Sequence, residues 1–538
     1  MLISNIITRK MKKIQIKLLG ISLLMMMGFL SSCTGDLEQE PEGKIAIPGE
    51  EFYSDPASYK QSLAKLYAGF ATTGQQGPAG NADVSGDEGA SQYIRGLWLM
   101  QELTTDEAVM GWNDGSIKDF HSQTWTDRDA FIKSTFYRIS FQIVNCNEFL
   151  KQTTDEKLDA RGVDAETKAN VKEFRAEVRF LRALSYWHLV DCFGGGSLVT
   201  EDSPADFYYP AYSTRDELYA FIDSELTAVT PELKAPKSNE AYRVDQAAAW
   251  MLQAKLYMNA KVYIGIEKYA DALPLINKVI ASPYSIHNNY NQLFYADNDK
   301  NGAQNEFIFA IAFDGLKTQT YGGTTFLAHA PVGGSMDPVK FGINGGWGGI
   351  RTTSAFVDKF PAGNTDTRGI FWTDGQSKDI NNISSFTDGY AVQKFRNIKV
   401  DGSQGSDATG NFVDIDFPIF RLADAYLMYA ECAVRGSGSL GTATTYVNAL
   451  RTRANTTSIT QSELTLDFVL DERARELHFE GQRRTDLVRF GKFTGGSYIW
   501  PWKGGVKTGA PTQSFRDIFP IPADAIVANQ NLIQNPGY

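Results

Sequence analysis

Apolar residues recur at three- and four-residue spacing through long stretches of this chain, the pattern of helices that bury one face. Residues 56–71 carry Tyr59, Leu63, Leu66 and Phe70 on one stripe. Residues 128–152 carry Phe131, Phe136, Ile139, Ile143 and Phe149, and residues 165–193 align Val171, Phe174, Val178, Leu181, Leu184 and His188. The series continues through 214–231, 243–263 and 267–281. Small residues (Ala248, Ala249, Ala254, Ala260 and Ala272) stand where the last two helices would approach closely, as in a tetratricopeptide-type hairpin. A strict period is not visible. Residues 421–435 and 443–455 predict another hairpin. A last long helix is expected within 464–483, closed by Gly481 and the basic pair Arg483 and Arg484.

Two segments break the pattern. Residues 72–126 and 283–420 are rich in Gly, Asn, Thr and aromatics, with short strand-like runs such as 306–313. Loops this long in a compact domain are usually functional or disordered, and their aromatic content disfavours disorder. The expected fold is mostly α, a scaffold of tetratricopeptide-like hairpins decorated by two loop-rich, partly β segments, in one domain over 51–538.

The start of the chain obeys a different rule. Lys10, Lys12, Lys13 and Lys17 precede the apolar run Leu18–Leu30, which ends in Ser31, Ser32 and Cys33. A basic start, a short apolar core and small residues before a cleavage point predict a secretory signal over 1–32. The run is too short for a helix crossing about 30 Å of hydrocarbon. Leu-Ser-Ser-Cys has the form of a bacterial lipobox, which predicts acylation of Cys33 and anchoring of the mature chain to a bilayer. The acidic residues 34–50 read as a tether. Because the leader holds five basic residues and no acid, the chain from Cys33 onward carries −16, against −11 for the whole. That charge argues against nucleic acid and against electrostatic docking on anionic lipid. It suits a neutral ligand, for which the 12% aromatic content offers platforms.

Cys146, Cys192 and Cys432 form no CxxC pair and read as buried thiols rather than a disulfide framework or zinc site. His121, His188, His287, His329 and His478 lack ligand spacing. No GxSxG, HExxH or Walker A motif is present, and nothing singles out a catalytic carboxylate pair.

Three constellations could carry binding. Trp112, Tyr321 and Trp347 each sit among glycines, which leave ring faces open. An open ring suits the axial C–H face of a pyranose; the alternative is that these rings pin loops to the scaffold. Asp87 and Arg95 could take vicinal hydroxyls or form a loop ion pair. Asp297, Asp299 and Gly302 open like a calcium loop, but its twelfth position is Ile308. Asp414 and Asp416 could complete a cage of hard oxygens; the alternative is a polar turn.

Residues 173–187, 417–436, 470–490 and 519–538 resemble the SusD/RagB family, and the likeness runs from Cys33 to Tyr538. Stretches 86–95, 295–301, 316–327, 386–397 and 498–505 are similar to its starch-binding members. The resemblance implies a non-catalytic outer-membrane lipoprotein facing the cell exterior. It would capture starch or malto-oligosaccharides and deliver them to a TonB-dependent (SusC-like) outer-membrane transporter. Another glycan or a peptide is the alternative cargo. The resemblance also implies an arc of three aromatics that cradles helical α-1,4-glucan, here Trp112, Tyr321 and Trp347. Asp87 and Arg95 match polar residues of that site, Asn113 stands near a third, and Met110 replaces a further aromatic. Asp299, Asp414 and Asp416 match calcium-site positions. No cofactor is implied beyond that structural calcium.

Overall fold

The computed structural model describes residues 49–538 except 76, 79–82, 85, 87–88, 205, 361–362 and 364. The expected leader, Cys33 and most of the tether lie outside the described residues, as does Asp87.

The chain divides after Ser58. In the first unit a single helical turn, Gly49–Phe52, precedes a turn in which Asp55 Oδ1 accepts from Ala57 N at 2.9 Å. The second unit, Tyr59–Tyr538, holds the rest.

Helices α1 (Ala57–Ala68), α2 (Tyr93–Gln101), α3 (Ile117–Ser122), α4 (Ala130–Gln152), α5 (Ala165–Phe193), α6 (Arg215–Val229), α7 (Gln246–Met258), α8 (Tyr269–Ile280), α9 (Gly323–His329), α10 (Leu422–Val434), α11 (Leu440–Arg453), α12 (Leu466–Leu477) and α13 (Arg483–Arg489) form the scaffold. Neighbours pack in pairs: α4 with α5, α7 with α8, and α10 with α11. The predicted stripes are the buried faces, and Val171, Val178, Leu181 and Leu184 of α5 are inaccessible to solvent.

Starts are set by side-chain oxygens that satisfy the first free N–H groups. Asp129 caps α4, Asp164 caps α5 and Asp245 caps α7, while Thr214 and Glu217 form a capping box at α6.

Strands are short. β1 (Val109–Met110) pairs antiparallel with β3 (Ile350–Arg351), β2 (Phe307–Ile311) with β6 (Phe417–Arg421), and β4 (Phe371–Trp372) with β5 (Ala391–Val392). The expected helical scaffold with partly β insertions is therefore what the chain builds.

Two boundaries differ from expectation. The single helix expected over 243–263 breaks at Asn259, whose side chain donates back to Lys255 O at 2.9 Å, an Asn-to-backbone bond that competes with the helix. Gly481, Arg483 and Arg484 do not close the last helix. That helix ends at Leu477, Phe479 and Gly481 turn with positive φ, and the two arginines open α13. Their charge serves the interior: Arg483 binds Asp106 and Arg484 binds Asp191.

The loop-rich reading of 72–126 also missed α2. Every residue of α2 is buried, so it shows no polar face and no amphipathic period.

Beneath these elements lies a buried ion lattice. Arg421 binds Glu306 (2.9 Å), Glu476 (2.6 Å) and Glu480 (2.6 Å). Arg368 binds Asp366, Glu472 and Glu476, Arg453 binds Glu306 and Glu476, and Lys394 binds Glu480. Cys146, Cys192 and Cys432 are free and buried, as expected. Among the described residues, no helix is long and apolar enough to cross a membrane.

Candidate functional site: an aromatic arc

The β1–β3 register sets the site. Met110 faces Ile350, and the ladder runs on through Gly111 N to Gly349 O at 2.9 Å. Trp112 and Trp347 therefore emerge side by side from segments more than 230 positions apart. Met110 itself is buried in β1 and offers no platform.

Close approach explains the glycines. A Cβ on Gly349 would lie 2.4 Å from Trp112 Cε2, and one on Gly346 2.2 Å from Val332 O. On the far side, a Cβ on Gly89 would lie 2.5 Å from the Tyr321 carbonyl carbon.

The three rings form one row with Trp347 at its centre. Trp112 and Trp347 have centroids 6.2 Å apart and planes 46° apart; Trp347 and Tyr321 stand 6.4 Å and 51° apart. All three are half-buried.

Each ring is held from behind. Trp112 Nε1 donates to Trp347 O at 3.0 Å, and its ring meets Phe326 edge-on. Trp347 stacks on His329 at 4.8 Å, while Trp347 N donates to His329 O at 2.9 Å. Burial pushes the His329 imidazole below its ordinary range, so a neutral ring backs Trp347. Tyr321 packs on Phe412, and Asn411 Nδ2 approaches its hydroxyl at 3.4 Å.

Arg95 is brought to this site as a support. It is buried in α2, its guanidinium lies 4.5 Å over Phe326, and Nη1 donates to Tyr321 O at 3.3 Å. Asn113 is exposed at the Trp112 end, where Oδ1 accepts from Lys118 Nζ at 2.5 Å.

Sequence reasoning missed Gln92, whose Oε1 accepts from Gly323 N (2.8 Å) and Arg95 N (2.7 Å). It also missed Phe326, Phe412 and Lys118, none of which has a glycine immediately beside it in sequence. Three rings with non-parallel planes cannot all stack on one flat ligand. A curved chain with apolar faces meets each in turn.

The calcium-site residues stand apart from the arc. Asn298 joins the 297–302 turn to the strand start: its Nδ2 donates to Asp416 O at 2.9 Å and its Oδ1 accepts from Asp416 N at 3.1 Å. Asp414 accepts from Gly315 N, Ser406 N and Ser406 Oγ, and Asp297 accepts from Val400 N and Asn301 Nδ2. Asp299 is 41% exposed beside Lys300.

Asp416 is the anomaly. It is buried, with Oδ1 accepting from Phe313 N at 2.8 Å and the carboxyl also accepting from the Tyr242 hydroxyl. Burial pushes this carboxyl up to about 7, with the Asp299 and Asp414 charges adding to the shift. Among the described residues, no three His, Cys, Asp or Glu side chains converge as a metal cage. The Asp299 and Asp414 carboxylates act electrostatically on the buried Asp416, so hard-oxygen groups gather around it.

The SusD family model matches residues 359–538. The starch-binding protein SusD of Bacteroides thetaiotaomicron is 35% identical over 562 aligned residues, covering 95% of this chain and 96% of that one. A SusD superfamily protein of Bacteroides vulgatus superimposes with a TM-score of 0.68 at 19% identity, over 90% of this chain and 99% of that one. The surface glycan-binding protein A of Bacteroides thetaiotaomicron, solved with laminarihexaose, superimposes with a TM-score of 0.66 at 21% identity, over 89% and 99%. With that identity sustained over nearly the whole of both sequences, the chain belongs to the SusD family.

Proposed function

We propose that this protein is a non-catalytic, cell-surface, starch-binding lipoprotein that takes malto-oligosaccharide chains on the Trp112–Trp347–Tyr321 arc. The observation that carries the reading is the row of three half-buried rings, 6.2 and 6.4 Å apart and successively tilted. The 35% identity to a protein named as starch-binding supports α-1,4-glucan over other glycans. Each stack contributes about 1 kcal/mol, by analogy with aromatic pairs, so three stacks alone give binding of roughly millimolar strength, and polar contacts to the sugar hydroxyls tighten it from there.

Retarded migration in native gels containing amylopectin tests the reading, and Trp347→Ala should abolish the retardation. Unchanged mobility of the wild type would sink it. The laminarihexaose bound to a structural relative favours one second reading, a β-glucan cargo; gels containing laminarin distinguish the two.

Acylated Cys33 would hold the body on the outer face of the outer membrane, where a TonB-dependent transporter receives the glucan. Protease accessibility on intact cells, lost in Cys33→Ala, tests the address. Co-purification of a transporter from solubilised membranes tests the partner, and its absence refutes the hand-off.

We read Asp416 and Asp299 as oxygen donors for a structural calcium ion, with Asp297 and Asp414 shaping the surrounding turns. Bound calcium would supply the positive charge that Asp416 lacks. Calcium should raise the melting temperature of chelator-treated wild type and not of Asp416→Asn. An equal response in both proteins removes the site.

A further inference from the structure

A fourth ring adjoins the strip that carries Trp347. Phe386 is half-buried and lies over a floor of glycines. A Cβ on Gly333 would come within 2.9 Å of its Cε1, one on Gly334 within 3.5 Å of its Cδ1, and one on Gly348 within 3.8 Å of its Cδ2. Main chain of the three glycines covers part of the ring, and part of the residue remains accessible to solvent. A phenylalanine ring left partly in water forgoes part of the stabilisation that burial gives.

The ring is held in rigid register with the arc. One buried guanidinium serves both: Arg351 Nη1 donates to Gly349 O at 2.8 Å, beneath Trp112, and Nη2 donates to Ile383 O at 2.5 Å, in the Phe386 loop. Arg351 Nε adds Asp388 O at 3.0 Å, and the Asp388 carboxylate accepts from Asn381 N and Asn382 N. Gln376 Nε2 donates to Phe386 O at 2.9 Å. A second bridge crosses above: Lys118 Nζ donates to Asn113 Oδ1, next to Trp112, and to Ser384 Oγ at 2.7 Å, two residues before Phe386. An ammonium group has three N–H donors, and these bonds use two.

We propose that Phe386 is a fourth sugar platform, with the Lys118 ammonium beside it donating an N–H to a sugar hydroxyl oxygen. The site then takes a longer oligosaccharide than the three-ring arc spans. This rests on the glucan reading above, and it adds the direction in which the chain leaves the arc: past Trp112, over Gly348 and onto Phe386.

Titration calorimetry of the full chain with maltotriose and with maltoheptaose separates the two ideas. Phe386→Ala should weaken maltoheptaose about fivefold, the worth of one aromatic stack, and leave maltotriose unchanged. Phe386→Tyr should keep wild-type affinity for both. An equal loss for both sugars in Phe386→Ala means that the ring only supports the arc and overturns the proposal. No loss for either sugar overturns it as well. Trp347→Ala is the reference: if the wild type binds neither sugar, the glucan reading fails and this inference falls with it. If the wild type binds, Trp347→Ala abolishes binding and Phe386→Ala matches wild type, only the fourth platform fails. Thermal melts of each variant report whether a loss reflects unfolding.

Discussion

At the scale of single residues, the arc depends as much on absent side chains as on the rings. Trp112 lies so close to Gly349 that a methyl group there would sit 2.4 Å from Cε2. Gly349→Ala should push the indole out of the row and weaken malto-oligosaccharide binding about fivefold, the value of one stack. Thermal melts of the variant separate this local effect from loss of the fold, because the displaced indole also gives up its bond to Trp347 O. Unchanged affinity in calorimetry would show that Trp112 contributes nothing to binding. The rings were legible in the sequence because glycines mark them: GWND, TYGG and GGWGG each advertise an uncovered aromatic. The residues behind them were not. Gln92 and Phe326 act through contacts with segments more than 200 positions away, and Arg351 reaches Ile383 and Asp388 in another loop, so no local pattern carries that information.

Elements repeat this lesson. The long helices were readable because each buries one face, and α5 runs over the predicted Ala165–Phe193. Strands β1 and β3 were not, because a two-residue strand has no period and its partner lies some 240 positions away. The segment that delivers β1 is buried and acidic: Glu102, Asp106 and Glu107 are all inaccessible. Asp106 is held down to about 2, against the cost of its burial, by the Arg483 guanidinium. Glu102 and Glu107 are raised by burial, and the Glu102 charge lifts Glu107 further, well above the ordinary carboxylate value of 4.5. A raised native value means that stability from Glu107 is fully present below the unfolded value and is lost as pH climbs through the native one. Glu107→Gln mimics the protonated form. It should match wild type near pH 5 and become progressively the more stable protein towards about pH 9. Thermal melts across that range check this, and a gap that does not widen with pH refutes it.

Across the whole second unit, the long motif that signalled the family turns out to be the centre of the ion lattice. Glu472, Arg473, Arg475, Glu476, Glu480, Arg483, Arg484, Asp486 and Arg489 all make ion pairs. Such a lattice needs matched charges on separated segments, which is why the stretch reads as strongly polar although it lies inside. Breaking a buried pair leaves its partner charged and unpaired, at a cost of about 3–5 kcal/mol. Glu476→Gln removes a partner of Arg368, Arg421 and Arg453 together, and should lower unfolding free energy by about that amount in urea titrations. A loss below about 1 kcal/mol would make the lattice energetically silent. At the ligand surface Trp112 and Trp347 are tied by a bond from indole N–H to main-chain carbonyl. Rings aimed in advance spend no ordering entropy on encounter, so capture is quick, and each weak contact also lets go quickly. A polymer lying across several such contacts can release one while the others keep it near, since its remaining units act at high effective concentration. On the starch reading, the arc then behaves as a ratchet without teeth. A long glucan can creep across it one sugar at a time without leaving the cell surface, whereas a short one dissociates.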